Sequence, residues 1–148
     1  MKLGDGVEQA IHSALVLSGL SADGVISAAA LAEFHGVSPS YLLKHLQALS
    51  GAGIVQTVPG PKGGYRLARA ADQVTVGDVL RAVEGSMNGL EPTRRGRRSL
   101  SGDPVSDLSE LWREIDEAVS GVIDRVTFDD LRKRAEERRS VARPMYHI

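Results

Sequence analysis

The sequence predicts a mainly α-helical fold with a small β-hairpin wing: a winged helix-turn-helix domain plus a long dimerisation helix. Three observations predict it. The stretch from Ser27 to Arg69 reads as helix, tight turn, helix, strand, glycine-rich hairpin and strand. No acidic residue falls between Glu33 and Asp72, whereas Lys44, Lys62, Arg66 and Arg69 all do. Beyond it, apolar residues recur at alternating spacings of three and four from Val105 onward, the pattern of a helix that pairs along one seam.

Composition sets the frame. At 148 residues the chain can form one core with a smaller attached element. Its formal net charge is -1, so any affinity for a polyanion must come from a local patch rather than the overall charge. Absence of cysteine removes disulfides, thiolate zinc sites, cysteine nucleophiles and conventional iron–sulfur ligation together. No apolar run approaches the roughly 20 residues that span a bilayer, and the N-terminus lacks a basic-then-apolar signal, so a cytoplasmic location with no membrane partner is expected.

The first helix is expected over residues 5–20, with Val7, Ile11, Ala14 and Leu15 as its apolar stripe and Asp5 as N-cap. Glu8 and His12, four apart, share one face of it: either a solvated pair or part of an effector pocket. Ser27 opens a short helix to about His35, whose buried side is expected to be Ala30, Leu31 and Phe34. Gly36-Val37-Ser38 forms the turn, with Gly36 in the left-handed conformation, Ser38 capping the next helix and Pro39 at its first position.

That second helix divides its labour. Leu42, Leu46 and Leu49 lie in a narrow arc and must face the core. Ser40, Lys44, Gln47 and Ala48 lie opposite, with Tyr41 and His45 on a flank. A solvated surface helix ordinarily mixes Glu and Asp with Lys. A helix that reads a major groove instead needs hydroxyls and cations for phosphates, amides and cations for base edges, and small residues for close approach. Strands are expected over residues 54–58 and 64–67, joined by the hairpin tip PGPKGG. Lys62, Gly63 and Gly64 lie in the tip, and Tyr65 and Arg66 just behind it, suited to a phosphate ridge or minor groove.

Thr75, with Asp78 three residues on, caps a helix whose apolar side is Val76, Val79, Leu80 and Val83. Residues 86–104 lose the apolar pattern and concentrate Arg94, Arg95, Arg97 and Arg98, either a solvated loop or a second anion contact. The long seam runs through Leu108, Trp112, Ile115, Val119 and Val122 to Val126, and pairing with another copy is the expected use of it. Thr127 and Asp130 cap a short, mostly polar last helix, and residues 141–148 form a tail. The domains are therefore expected at 1–85 for the winged helix-turn-helix, then the arginine loop, then 105–140 for the dimerisation and C-terminal helices.

Three segments, VSPSYLLKHLQAL (Val37 to Leu49), GPKGGYRLAR (Gly60 to Arg69) and VTVGDVLRAVEG (Val74 to Gly85), resemble the Rrf-two family of bacterial winged-helix transcription regulators. The resemblance implies a homodimer, a repressor, on a partly palindromic double-stranded DNA operator. Carried over residue by residue, it places Ser38, Ser40, Tyr41, Lys44, His45, Lys62, Gly63, Gly64, Tyr65 and Arg66 at the DNA. Many members sense through a cluster held by cysteines in the loop before the long helix. That loop has none here, so no cofactor and no metal are expected, and the effector is unidentified. In some members the first helix of the partner subunit supplies a further ligand, in the region of Glu8 and His12. Two alternatives use the same features: a divalent-metal-responsive regulator through Glu8 and His12, and a winged-helix protein-interaction module, which needs an apolar outer face on the second helix. No nucleophile–base pair, paired carboxylates or phosphate-cradling loop points to an enzyme.

Overall fold

A computed structural model of the chain describes residues 4–84 and 104–142. The elements follow in order: α1 (Asp5–Ser18), α2 (Ala28–His35), α3 (Pro39–Gly51), β1 (Val55–Val58), β2 (Gly64–Leu67), a 3-10 turn (Ala71–Gln73), α4 (Val76–Glu84), α5 (Pro104–Ile123) and α6 (Phe128–Ala142). The mainly helical winged helix-turn-helix with a long following helix is the observed architecture. The arginine cluster at 94–98, Gly85 and the tail beyond Ala142 lie outside the described residues.

Each boundary has a local cause. Ser27 is extended, and its hydroxyl accepts the Ala30 N–H at 3.1 Å, which starts α2. Gly36 ends the helix at φ 66°, a left-handed conformation that side chains resist. Ser38 then accepts the Tyr41 N–H at 3.3 Å, and Pro39 opens α3. For α1 the expected cap is corrected. Gly4 occupies the N-cap without a side-chain bond, and Asp5 lies inside the first turn with Glu8, where both carboxylates favour the helix dipole.

The core gathers Val7, Ala10, Ala14 and Leu17 from α1, Leu31 and Ala32 from α2, and Leu42, Leu46 and Leu49 from α3, with Ile54 and Val55 closing over them. The inner side of α2 differs from expectation: Ala30 is exposed and Phe34 is 70% exposed, while Ala32 takes the buried place. An eight-residue helix offers too few turns for periodicity to fix its rotation. Its rotation is set instead by the extended residues just before it.

Those residues hold the wing. Strands β1 and β2 pair antiparallel, Val55 with Leu67 and Val58 with Gly64. Ile26 bridges Tyr65 from the other side, its N–H donating to the Tyr65 carbonyl at 3.0 Å and its carbonyl accepting the Tyr65 N–H at 2.7 Å. A side chain at Gly64 would collide with the Ile26 carbonyl, and one at Gly63 with that of Val58, so this three-way junction demands glycine at both.

The C-terminal third closes the fold. Thr75 N–H donates to Asp78 Oδ2 at 3.0 Å and Asp78 N–H to Thr75 Oγ1 at 3.1 Å, the expected capping box of α4. Thr127 and Asp130 repeat it at 3.0 and 3.1 Å for α6. The two boxes meet. Thr75 and Thr127 form an antiparallel bridge in which Val76 N–H donates to the Val126 carbonyl at 2.9 Å and Phe128 N–H to the Val74 carbonyl at 3.0 Å. Arg81 fastens the same joint, its Nη2 donating to both Asp124 oxygens at 2.6 Å. Two expectations change here. The α5 helix stops at Ile123, leaving Val126 beside the bridge rather than in the helix, and the last helix, expected to be short, runs 15 residues. Phe128 is fully buried in the core cluster, with α6 packed against α1 and the 3-10 turn.

Candidate nucleic-acid interface and adjoining groove

Helix α3 and the wing present the cations that the sequence clusters. With Leu42, Leu46 and Leu49 fully buried, Ser40, Tyr41, Lys44 and Gln47 are left exposed on α3. Ser38 and Ser40 hydroxyls lie 3.4 Å apart at the start of the helix, where the Ser40 N–H, without a partner among the described residues, also favours a phosphate. Lys62 is exposed at the wing tip. No Asp or Glu occurs from residue 34 to residue 71, so none competes along either element. The exposed face of α3 is polar and cationic, without the apolar patch a protein-docking helix would carry.

The remaining candidates sit deeper. Tyr65 packs against the core, and Gly63 and Gly64 are half-buried at the wing junction. Arg66 lies opposite Gln56 across the hairpin; with the amide oxygen turned toward it, Gln56 Oε1 accepts from Arg66 Nε at 2.6 Å and Nη2 at 3.0 Å. That pairing holds the guanidinium along the strand rather than free at the tip. His45 turns inward. Its ring stands edge-on to Tyr41, 5.1 Å between centroids, and lies so close to Gly6 that any side chain there would collide with it. Its Nε2 is buried without a hydrogen-bond partner among the described residues, and burial first, then the Lys44 charge, lower its pKa against an opposing pull from Glu84.

Glu8 and His12 do not form a joint site within the chain. Both are exposed, and His12 instead stacks on His35, 6.1 Å between ring centroids with planes 16° apart. His35 is in turn held by the buried Ser13, whose Oγ lies 2.9 Å from its Nε2. Burial, and secondarily His12, lower the His35 pKa. His12 lines a groove of about 710 Å³ between α1, the end of α2 and α6; Glu8 is not part of its wall. Sequence reading missed this groove, because a short, mostly polar last helix gives little sign of what it packs against. The signal was Phe128, a lone large apolar residue directly after a capping threonine.

Among the described residues no three His, Asp or Glu side chains converge as a metal site, and the chain has no cysteine. This donor set does not fit an iron–sulfur cluster, whose irons need thiolate or comparably dense ligation.

On the seam, Leu108 and Val122 are about half exposed, at 49% and 55%, while Trp112, Ile115 and Val119 are partly covered. Among its described side chains α5 buries none fully within the chain. No helix of the described residues is long and apolar enough to cross a membrane.

Comparison with known proteins places these features in a family. Residues 3–134 match the family model Rrf2, "Iron-dependent Transcriptional regulator". The chain is 30% identical over 135 residues to the HTH-type transcriptional regulator YwgB of Bacillus subtilis, covering 85% of this chain and 86% of that protein. It is 32% identical over 132 residues to the regulator IscR of Pectobacterium atrosepticum, covering 88% and 79% respectively. Among solved structures, IscR of T. potens superposes with a TM-score of 0.76 at 28% identity, over 99% of this chain and 97% of that one. CymR, the global cysteine regulator of B. subtilis, superposes at 0.70 with 28% identity, over 90% and 98%.

Proposed function

The chain belongs to the Rrf2 family of transcriptional regulators, and from that premise we propose that it is a homodimeric repressor that binds a partly palindromic DNA operator and works without a conventional iron–sulfur cluster. The observation that carries the proposal is the carboxylate-free face of α3 beside a cationic wing, in a chain of almost no net charge. Ser38, Ser40, Tyr41 and Lys44 are exposed on or just before α3 and supply phosphate and base contacts in the major groove. Lys62 reaches backbone phosphates flanking the adjacent minor groove. Gly63, Gly64, Tyr65, Arg66 and His45 act behind that surface, shaping the wing and seating α3 against α1.

The seam of α5 supports the dimer. Leu108, Trp112, Ile115, Val119 and Val122 recur at paired-helix spacing, and the described residues leave them exposed or only partly covered. A two-fold axis along α5 would give two α3 helices a fixed separation, which supports an operator with two half-sites.

The test is a mobility-shift assay with DNA upstream of the protein's own gene. Binding should weaken steeply with salt, and Lys44→Ala should weaken it while reducing the salt slope by about one unit. Failure to bind that DNA or any genomic fragment, or a Lys44→Ala protein that binds equally well at every salt concentration, would overturn the assignment.

A further inference from the structure

We propose that the groove between α1, the end of α2 and α6 is an effector site for a small amphipathic carboxylate with an apolar, preferably aromatic, body. The volume, about 710 Å³, falls within the roughly 300–1,000 Å³ usual for small-molecule sites. Its apolar surface comes from Leu15, Val16 and Leu20 of α1 and the segment after it, and from Phe34. Phe34 is 70% exposed and stands T-shaped to His35, 5.3 Å between centroids, which leaves much of its ring open to a ligand.

The charge of the groove decides what that ligand carries. Both acids in the wall are already matched. Asp129 pairs with Arg132 at 3.0 Å and with Lys133 at 2.8 Å, and Glu136 pairs with Arg132 at 2.7 Å. Arg139, at the far end of the same wall, makes no ion pair among the described residues. Across the groove His12 is braced by its stack on His35, which Ser13 holds in turn. An unmatched guanidinium and a positioned imidazole above an apolar floor are complementary to a carboxylate on a hydrophobic body.

Position supplies a route to the reading head. The groove touches α1, the last turn of α2 just before the turn that aims α3, the Ala71 turn just after the wing, and α6. A ligand seated there touches the chain just before α3 and just after the wing, and shifts whichever arrangement it binds better. As a switch, the site rests on the DNA-binding proposal above; as a binding site it does not.

The experiment therefore reads binding without DNA. The full chain is titrated with phenylbutyrate, with phenylbutanol as the uncharged control and propionate as the control without an aromatic body, following backbone amides by NMR. Phenylbutyrate should move amides of the second half of α1, the end of α2 and α6. Both controls, and the exposed-site variants Phe34→Ala and Arg139→Gln, should bind at least about fivefold more weakly. Shifts confined elsewhere, equal binding of phenylbutanol, or unchanged affinity in both variants would refute the site. So would silence of these amides together with a Phe34→Ala variant that shifts the monomer–dimer balance, which would mean that a second copy covers the groove. DNA binding measured on the same samples separates failure of this site from failure of operator recognition.

Discussion

His35 shows how much one side chain can join. It ends α2, bonds to Ser13 in the core and carries His12 on its face. Burial and the His12 charge lower its pKa in the folded chain, so the unfolded chain takes up the proton first as pH falls. The stability tied to this imidazole is therefore full above its ordinary pKa and drains away as pH drops from about 6.5 toward the lower folded value. His45 is shifted the same way and adds to the loss. Thermal melting should show a lower midpoint at about pH 5.5 than at about pH 7.5, with a smaller difference in His35→Gln. The carboxylates Asp129 and Asp130 act in a separate window, since their pKa values are lowered by bonds within α6 and its cap and they protonate only in stronger acid. Phe128 is the other decisive residue. It is fully buried, so Phe128→Ala should cost about 3–5 kcal/mol, measured by denaturant unfolding, without touching the DNA-facing surface.

At the scale of elements, legibility followed the length of the periodic signal and the presence of a cap. Helix α3 was readable because three leucines, a capping serine and a proline agree. Helices α4 and α6 were readable at their starts from threonine–aspartate boxes, each contributing about 1 kcal/mol. The rotation of α2 was not readable, since Ile26 and Tyr65 set it through a backbone bridge that no side-chain pattern records. The docking of α6 was hidden for a similar reason: the partners that bury Phe128 lie far away in the chain. For the interface, residue types were legible but depth was not. His45 and Arg66 look like surface cations, yet one is turned toward α1 and the other lies along the hairpin against Gln56. Helix α5 carries its own prediction. Trp112→Glu places a charge in the seam and should shift the protein toward monomer in sedimentation, with helix content unchanged and operator binding weakened.

Across the whole molecule, the head and the C-terminal third are one mechanical piece. Arg81 and Asp124, the Thr75–Thr127 bridge and Phe128 tie α4, the end of α5 and α6 into the core of the first helices. A seam on α5 is therefore rigidly referenced to α3, which a two-half-site reader requires. Truncation tests the claim. A chain ending at Val126 should lose amide protection in α4 and around Val74 as well as in the missing segment, whereas an independent head would keep it.

The paired threonine boxes also govern when this protein can exist. During synthesis the three leucines of α3 and the valines of α4 leave the ribosome long before Thr127 and Phe128 do. Until those arrive, Val74 and Val76 lack their backbone partners, and the space that Phe128 fills stands open. Contacts this distant in sequence form late and slow the final closure. The surface proposed to touch DNA is written early in the chain, but its support is completed only once Phe128 has been made.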